Sequence, residues 1–252
     1  MLTDQKRNPP TSSDERANLL AVASYNIHAC AGRDGNTSSE RVALVIRELE
    51  ADLVGLQEVD SRPGAAADSQ QMDYLARATG FTAIPGVTIQ RHNRSYGNVL
   101  LTRHPVRAVR RVDLSLAGRE PRGAIDADLE VHGTRVRVLV THLGLRAAER
   151  RWQLYRLSEL FLHGAIEPMI LMGDFNEWYP YQSTLRRLRT LFGHCPAPRS
   201  FPARCPLLAL DRIWVSPSSL LVATRAHKTA LARVASDHLP VKSLLRLRPT
   251  RP

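Results

Sequence analysis

Carboxylate, carboxamide and imidazole side chains recur where short apolar segments of the chain end. The residues concerned are Asn26, Glu58, His142, Asp174, Asn176, Asp211, Asp237 and His238. A single polar residue at the end of a strand is often only the point at which the chain re-enters solvent. Strand ends in a layered sheet protein converge on one rim, however, so we expect this set to form a single site.

The residue types indicate the chemistry that such a rim can perform. Carboxylate and amide oxygens without thiolates suit a hard cation such as Mg²⁺ or Mn²⁺, and Glu58 is the best single ligand candidate. The histidines lack a zinc-type spacing such as H-E-x-x-H, which favours proton transfer and charge stabilisation instead. A histidine beside a carboxylate keeps its proton more readily, and Asp211 with His238 could form such a pair.

The elements that must position these residues are short apolar strands interleaved with helices. Runs rich in β-branched residues predict strands at 20–27, 53–56, 98–102, 136–141, 169–172, 213–215 and 240–241. Apolar residues at helical spacing predict helices around 42–49, 72–75, 154–161 and 185–191. Thr37 with Glu40 predicts a capping box at the first of these helices. The alternation predicts an α/β or α+β fold and excludes the all-α and all-β classes.

Length and composition are those of one globular domain. The chain has 252 residues, of which 43% are hydrophobic and 23% are charged. We predict a single domain over residues 19–247, a disordered N-terminal tail at 1–18 and a short C-terminal tail at 248–252. The net charge of +11 excludes an acidic solvating protein and suits an anionic partner. Arginine clusters at 103–111, 146–156 and 186–189 could neutralise phosphates, and solvated helix faces are the alternative.

Cysteine content and hydropathy favour a reducing compartment. Cys30, Cys195 and Cys205 are odd in number and contain no C-x-x-C pair, so neither a disulfide framework nor a zinc site is indicated. The N-terminal residues lack the apolar core of a secretory signal, and no segment reaches about 18 consecutive apolar residues. We expect a cytoplasmic monomer without a transmembrane segment, peripheral to a membrane at most.

Motifs spread over most of the chain resemble those of a known superfamily. They are Ser24-Tyr25-Asn26-Ile27, Leu56-Gln57-Glu58-Val59-Asp60, Gly97-Asn98-Val99-Leu100-Leu101, Thr141-His142-Leu143, Gly173-Asp174-Phe175-Asn176, Leu210-Asp211-Arg212-Ile213 and Ser236-Asp237-His238-Leu239-Pro240. Together and in this order they are highly specific. From about residue 22 to 244 the chain resembles the endonuclease/exonuclease/phosphatase superfamily, which includes pancreatic deoxyribonuclease, apurinic endonucleases and neutral sphingomyelinases. The resemblance implies a four-layer, deoxyribonuclease I-like sandwich: two packed mixed β-sheets flanked by helices, with the active site at one end.

The resemblance also implies a metal-dependent phosphoester hydrolase. Glu58 would bind the catalytic Mg²⁺ or Mn²⁺ directly. Asn26 and Asp237 would bind the ion too or lie beside its ligands. Such an ion neutralises the charge that develops on the phosphate oxygens.

A division of catalytic roles follows from the same resemblance. Asp174 would orient or deprotonate the attacking water, and Asn176 would hold the phosphate. His238, supported by Asp211, would stabilise the phosphorane-like state or act as the general base, so that its role and that of Asp174 can exchange. His142 would contact the phosphate or the leaving oxygen.

Asn98 and Arg122 are further candidates for binding the substrate. Asn98 follows Gly97 directly before an apolar strand, where an ordinary turn residue is the alternative. Arg122 falls where several members of the superfamily place a phosphate-facing residue, and a solvated arginine is the alternative.

The substrate is the point on which the sequence leaves alternatives open. The basic charge favours a nuclease, a phosphodiesterase acting on nucleic acid. Tyr25-Asn26-Ile27-His28, followed by the loop at 32–35, resembles members linked to phospholipid or GPI-type metabolism, which favours an anionic lipid head group or another small phosphoester. A non-catalytic phosphate-binding scaffold is the third alternative, and the presence of every acidic and histidine position speaks against it.

Overall fold

The computed structural model describes residues 18–62, 64, 68–162, 168–179 and 183–247. The predicted tails at 1–18 and 248–252 fall outside these residues, apart from Asn18. The division into one domain and two tails therefore stays a prediction.

The strands of the described residues form two mixed β-sheets. They are β1 (Leu19–Asn26), β2 (Leu53–Ser61), β3 (Thr82–Arg91), β4 (Arg94–Thr102), β5 (Val106–Asp113), β6 (Gly123–Val131), β7 (Thr134–His142), β8 (Met169–Asp174), β9 (Asp211–Ser216), β10 (Leu221–Ala226) and β11 (Val241–Arg246). One sheet has the order β10-β11-β1-β2-β4-β3 and the other the order β5-β6-β7-β8-β9. β1 is parallel to β2, and β7 is parallel to β8, whereas the other paired strands are antiparallel.

The helices lie in the connections between strands. They are α1 (Ser39–Glu48), α2 (Gln71–Thr79), α3 (Ala147–Leu162), α4 (Arg186–Phe192) and the short α5 (Ala232–Ala235). The predicted capping box is wrong by one residue: α1 is capped by Ser38, whose hydroxyl accepts a hydrogen bond from the Arg41 amide at 3.1 Å. α2 ends at Gly80, which takes the left-handed conformation (φ 71°) that glycine adopts without strain.

The two sheets pack face to face and bury a common apolar layer. Val22 and Leu100 of the six-stranded sheet share one buried cluster with Ile125, Val140 and Ile213 of the five-stranded sheet. Burial of this apolar area is the main favourable contribution to holding the sheets together.

Helices cover the outer faces of both sheets. Val45 of α1 and Leu75 of α2 lie in one buried cluster with Leu56 of β2. Leu157 of α3 lies with Leu171 of β8 in a separate cluster on the opposite side of the molecule. The order of layers is therefore helix, sheet, sheet, helix, and the predicted four-layer fold is confirmed.

The apolar runs in the sequence do not predict four of the observed strands, which are β3, β5, β6 and β10. β5 reads Val-Arg-Ala-Val-Arg-Arg-Val-Asp, so its charged positions hide its strand character. The structure explains these charges: Arg107 pairs with Glu130, Arg110 pairs with Asp126, and Arg111 donates to a main-chain carbonyl. The arginines of the 103–111 cluster that lie on β5 are thus engaged within the protein, which weakens the interpretation of this cluster as a phosphate-binding surface.

Asp126 is the centre of a buried ion-pair network on the outer face of the five-stranded sheet. Arg137 donates two hydrogen bonds to its carboxylate at 2.8 and 2.7 Å, and Arg110 donates two more at 2.9 Å each. Burial alone would raise the pKa of Asp126, but the hydrogen bonds from both guanidinium groups lower it below its usual value. Arg137 also donates to the carbonyl of Leu160, which ties α3 to the sheet.

The substitution Asp126→Asn should lower the free energy of unfolding by about 3 kcal/mol at pH 7, because it leaves Arg137 charged and buried without its carboxylate. The folded-state pKa of Asp126 lies below its unfolded value. Its contribution is therefore complete above the unfolded pKa, about pH 4, and is lost as the pH falls through the folded pKa. Urea unfolding at pH 7 and pH 3 should show a smaller difference between variant and wild type at pH 3. Asp73→Asn, on the exposed side of α2, is the control, and an equal difference at both pH values would contradict the network.

Candidate active site

The predicted site residues converge at one end of the sandwich because of the two parallel strand pairs. Asn26 ends β1 beside the part of β2 that precedes Glu58. On the other sheet, His142 ends β7 beside Asp174 at the end of β8, and Asp211 begins β9 directly opposite Asp174. Parallel strands bring their carboxyl ends to the same edge, which places these side chains around one opening.

The backbone is left-handed at two of the predicted residues. Glu58 has φ 60° and lies at the irregularity between Leu56 and Val59 where β2 slips its register against β4. Asn176 has φ 49°. Residues other than glycine rarely adopt this conformation, and such strain is concentrated at functional sites. Glu58 and Asn176 therefore have the strained backbone conformation that is typical of a functional site.

Asn26 bridges two carboxylates that come from different sheets. Its Nδ2 group donates to Glu58 at 2.9 Å and to Asp174 at 3.1 Å. Its Oδ1 atom accepts a hydrogen bond from the amide of His28 at 3.0 Å, so the orientation of the carboxamide is fixed. The buried Asn26 side chain therefore holds Glu58 and Asp174 close to each other, although both are negatively charged when ionised.

Asp174 lies between two histidine rings. Its Oδ2 atom is 3.6 Å from Nε2 of His142 and 3.7 Å from Nε2 of His238. Its Oδ1 atom accepts a hydrogen bond from the amide of Asn176 at 2.8 Å. Asp174 is thus buried, oriented by the main chain and in reach of both rings.

His238 forms the predicted pair with Asp211. Nδ1 of His238 is 2.8 Å from Oδ2 of Asp211, and the hydroxyl of Ser200 donates to the same oxygen at 2.6 Å. Burial alone would lower the pKa of His238, but the charges of Asp211 and Asp174 and the hydrogen bond to Asp211 outweigh it and raise the pKa to about 10. His238 is therefore an imidazolium at neutral pH and directs its Nε2 proton into the site.

His142 has the opposite protonation state. Burial lowers its pKa to about 3, and the charge of Arg122 adds to this effect, whereas Asp174 opposes it. Nδ1 of His142 lies 3.2 Å from the Arg122 guanidinium, and Nε2 lies 3.1 Å from Nδ2 of Asn176. The site thus contains one neutral and one charged imidazole on either side of the same carboxylate.

Asn98 and Arg122, the further candidates for binding the substrate, lie on the side of His142 that faces away from Asp174. Arg122 is buried, pairs with Glu120 at 2.9 Å and has a buried Nε atom with no hydrogen-bond partner among the described residues. Asn98 is also buried, and its Nδ2 group donates to the carbonyl of Gly123 at 3.0 Å. The amide group of Asn98 is therefore used to tie β4 to the start of β6, next to Arg122. Asp237 lies at the rim, half-buried, with one carboxylate oxygen 3.8 Å from Nδ1 of His28.

Six of the ten predicted site residues line an open pocket of about 310 Å³, whereas Asn26, Asn98, Asp211 and Asp237 are not part of its lining. Its lining comprises Glu58, Tyr96, Glu120, Arg122, His142, Leu145, Asp174, Asn176, Trp178, Phe201, Leu210 and His238. A second pocket of about 230 Å³ shares Glu120, Arg122 and Leu145 with it. Arg119, Arg146 and Glu149 add further charges to this second pocket.

Several residues that line or support the site are missing from the set that the sequence predicts. Ser200 supports Asp211 from a segment that reads as a loop, and the Phe201 ring lies tilted against His238 with the ring centres 4.8 Å apart. Tyr96 forms a hydrogen bond to Glu58, and burial, followed by the charge of Glu58, raises its phenol pKa. The dipeptide Tyr96-Gly97 at the start of a motif is a signal that could have identified Tyr96, whereas nothing in the sequence marks Ser200.

The donor set at the Glu58 side fits a hard divalent cation. Glu58 and Asp174 share one amide group, and Asp237 is nearby through Ser236, whose hydroxyl contacts both Asp237 and the carbonyl of Asn26. Oxygen donors with excess negative charge are those that Mg²⁺ and Mn²⁺ prefer. Donor atoms of Asp174, Asp211 and His238 also lie within 4.8 Å of one another. A protonated imidazole has no free lone pair, however, so this second group is better suited to proton transfer than to metal binding.

Comparison with known proteins identifies the family of this chain. A sequence model described as the Endonuclease/Exonuclease/phosphatase family matches residues 23–238. The chain belongs to the endonuclease/exonuclease/phosphatase family. Members of this family are hydrolases of phosphoric esters. The chain is also 32% identical to the uncharacterized protein YbhP of Escherichia coli K12 over 219 residues, which cover 80% of this chain and 86% of YbhP.

Solved structures of the family share the fold. An endonuclease/exonuclease/phosphatase from Beutenbergia cavernae DSM 12333 superposes with a TM-score of 0.71 at 25% identity, covering 91% of this chain and 72% of the other. The mannosyl-6-phosphatase Bt3783 of Bacteroides thetaiotaomicron VPI-5482 superposes with a TM-score of 0.67 at 18% identity, covering 90% and 99%. Among the described residues, none of the helices has the length and hydropathy needed to cross a membrane.

The substitution Asp211→Asn should lower the pKa of His238, because it removes the charge that most strongly favours the imidazolium. A histidine NMR titration of the metal-free protein measures this pKa directly. We expect wild-type His238 to remain protonated well above pH 8 and the variant to titrate closer to the usual value of about 6.5. The control Asp73→Asn should leave the titration unchanged. The same pKa in wild type and Asp211→Asn would exclude the pairing.

Proposed function

We propose that the protein is a Mg²⁺-dependent phosphodiesterase that hydrolyses nucleic acid with an activated water molecule. The observation that carries the proposal is the arrangement around Asp174. A buried carboxylate that shares an amide group with Glu58 lies between a neutral and a protonated histidine. Groups with separated pKa values in one pocket are typical of acid–base chemistry.

Glu58 is the residue that would bind Mg²⁺ or Mn²⁺, with Asp237 and Asn26 beside it. The bound ion would supply neutralisation of the charge that develops on the phosphate oxygens. Asn26 contributes through its Nδ2 group, which holds Glu58 and Asp174 in position, because its oxygen is already occupied by the amide of His28.

Asp174 is best suited to orient and deprotonate the attacking water. The water oxygen forms a bond to phosphorus, and the water proton passes to Asp174. As the bond between phosphorus and the leaving oxygen breaks, the leaving oxygen keeps the electron pair and takes up a proton from solvent. His238 is already protonated, so it stabilises the developing negative charge through its Nε2–H group. Of the two assignments that the resemblance leaves open, the raised pKa of His238 favours Asp174 as the base.

Asn176 and Arg122 would hold the phosphate. Asn176 has an Nδ2 group that reaches the carbonyl of Leu143 at 2.9 Å and the ring of His142 at 3.1 Å, so its position is fixed. Arg122 has a buried Nε–H group without a partner among the described residues and lines the same pocket. A guanidinium in such a position is a suitable donor to a phosphate oxygen.

Nucleic acid is the substrate class that we favour. Arg119 and Arg146 line the pocket that adjoins the reaction site, where they could contact the neighbouring phosphate of a chain. The net charge of +11 favours association with a polyanion. A lipid head group or a small phosphoester is the alternative, and the structural similarity to a mannosyl-6-phosphatase gives that alternative weight.

The substitution Glu58→Gln should raise the Mg²⁺ concentration needed for half-maximal activity on the order of tenfold or more, because the carboxamide brings no negative charge to the ion. Titration calorimetry with Mg²⁺ or Mn²⁺ should reveal the same loss without substrate. Glu120→Gln is the matched control, since Glu120 lines the same pocket but pairs with Arg122. An unaltered metal titration of Glu58→Gln would remove Glu58 as the ligand.

Cleavage of plasmid DNA in Mg²⁺ at physiological salt tests the reaction. Wild type should nick the plasmid, and Asp174→Asn and His238→Ala should each lower the rate about 10²-fold or more, because both groups act in the transition state. A chelator should abolish nicking, and the control Asp73→Asn should retain it.

Two outcomes would contradict these assignments. Variants of Asp174 and His238 within a factor of two of wild type would exclude the proposed roles. Absence of nicking by a folded protein that binds Mg²⁺ would exclude DNA and direct the assay to RNA, lipid head groups and small phosphoesters.

A further inference from the structure

Two large apolar side chains project into solvent at the mouth of the reaction pocket. Leu145 is 67% exposed and follows the His142 motif, and Trp178 is 52% exposed and follows Asn176. Single exposed apolar residues are common on protein surfaces. These two differ from a random surface pair because both line the pocket that contains Asp174 and His238.

One buried arginine joins the loops that carry these two side chains. Nη1 of Arg150, in the first turn of α3, donates to the carbonyl of Leu145 at 2.6 Å. Nη2 of the same guanidinium lies 3.4 Å from both carboxylate oxygens of Glu177, the residue before Trp178. Glu177 also accepts a hydrogen bond from the amide of Tyr179 at 3.2 Å, so its carboxylate spans Trp178.

This connection requires two charged side chains to lose their hydration. The Arg150 and Glu177 side chains are both buried, and the Nε atom of Arg150 has no hydrogen-bond partner among the described residues. A buried ion pair gains little net stability, because the loss of hydration offsets most of the attraction. Its effect here is to fix the distance between the two loops, and pre-organised contacts of this kind favour binding.

We propose that Leu145 and Trp178 form a clamp for the organic group next to the scissile phosphate, and that this group is a flat ring such as a nucleobase. The proposal rests on the proposed function and adds to it the residues that select the substrate. An indole face accommodates a planar ring by stacking, and the isobutyl group of Leu145 supplies apolar contact.

The surroundings of the clamp favour a ring over a long alkyl chain. The adjoining pocket behind Leu145 is lined by Arg119, Glu120, Arg146 and Glu149, which are charged. A ring with a polar edge can lie against the clamp and present that edge to these groups. An alkyl chain would gain only the small apolar area of the clamp and would desolvate the neighbouring charges.

Ligand binding tests the clamp without requiring turnover. Thymidine 5′-monophosphate and methyl phosphate carry the same anion and differ in the attached group. In NMR titrations with Mg²⁺ present, the indole N–H signal of Trp178 should shift with the nucleotide and not with methyl phosphate. Trp152, which is exposed on α3 outside the pocket, and Trp214, which is buried, provide controls in the same spectrum.

Variants then measure the contribution of each side chain. Trp178→Ala should weaken nucleotide binding about tenfold and leave methyl phosphate binding unchanged. Leu145→Ala should act in the same direction with a smaller effect. Trp152→Ala is the matched control and should change neither ligand, because Trp152 lies beneath Arg156 on the solvent face of α3.

The remaining outcomes would overturn either the clamp or its preference for a flat ring. Equal effects of Trp178→Ala on both phosphates, or none on either, would overturn the clamp. Decyl phosphate is a further probe: if Trp178→Ala weakens its binding as much as that of the nucleotide, the preference for a flat ring is wrong. A separate assay with bis(4-nitrophenyl) phosphate reports hydrolysis, so failure of the clamp leaves the proposed reaction standing, and absence of hydrolysis counts against the reaction alone.

Discussion

The hydrogen bond from Asn26 to Asp174 joins the two sheets at the end of the sandwich where the pocket opens. Asn26 ends β1 and Asp174 ends β8, so this hydrogen bond forms only when the two sheets pack in one relative position. The apolar layer that contains Val22, Leu100 and Val140 sets that position. Because interiors pack densely, small changes in this layer would move the reacting groups. The packing of the two sheets therefore sets the distance between Asn26 and Asp174, and with it the geometry of the site.

The same carboxylate also organises the protonation states of the site. Asp174 faces His238 and His142 at similar distances, yet one ring is charged and the other is neutral. Burial lowers the pKa of both rings. The charge and hydrogen bond of Asp211, together with the charge of Asp174, overcome this effect at His238, whereas Arg122 adds to it at His142. Burial and the outer neighbour together set the charge of each ring, so two identical side chains can serve different purposes a few ångströms apart. Burial also strengthens the interactions between these charged groups, because little water is present to screen them.

Sequence patterns could predict the apolar strands and the polar residues at their ends, because both follow from local composition. They could not predict β5, whose arginines are neutralised by Asp126 and other acids on neighbouring strands. The left-handed backbone at Glu58 is also invisible in the sequence, since glutamate has no preference for it. Arg150 reads as part of a basic cluster and proves to be buried against Glu177. For β5 and Arg150 the missing information is an acidic partner on another element, and for Glu58 it is a backbone conformation that the residue type does not favour.

Arg150 fixes the geometry of the pocket rim, as Asn26 fixes that of the carboxylates inside the pocket. The Leu145 carbonyl follows β7, and Glu177 follows β8, so the guanidinium spans the same parallel strand pair that places His142 beside Asp174. A shift of one strand along the other would therefore disturb the histidine–aspartate contact and the spacing of Leu145 and Trp178 together. The proposed clamp and the proposed base, Asp174, therefore depend on the same parallel strand pair. The rigid rim requires Arg150 and Glu177 to lose their hydration. Because the two loops are already ordered, binding of a substrate would lose less conformational entropy.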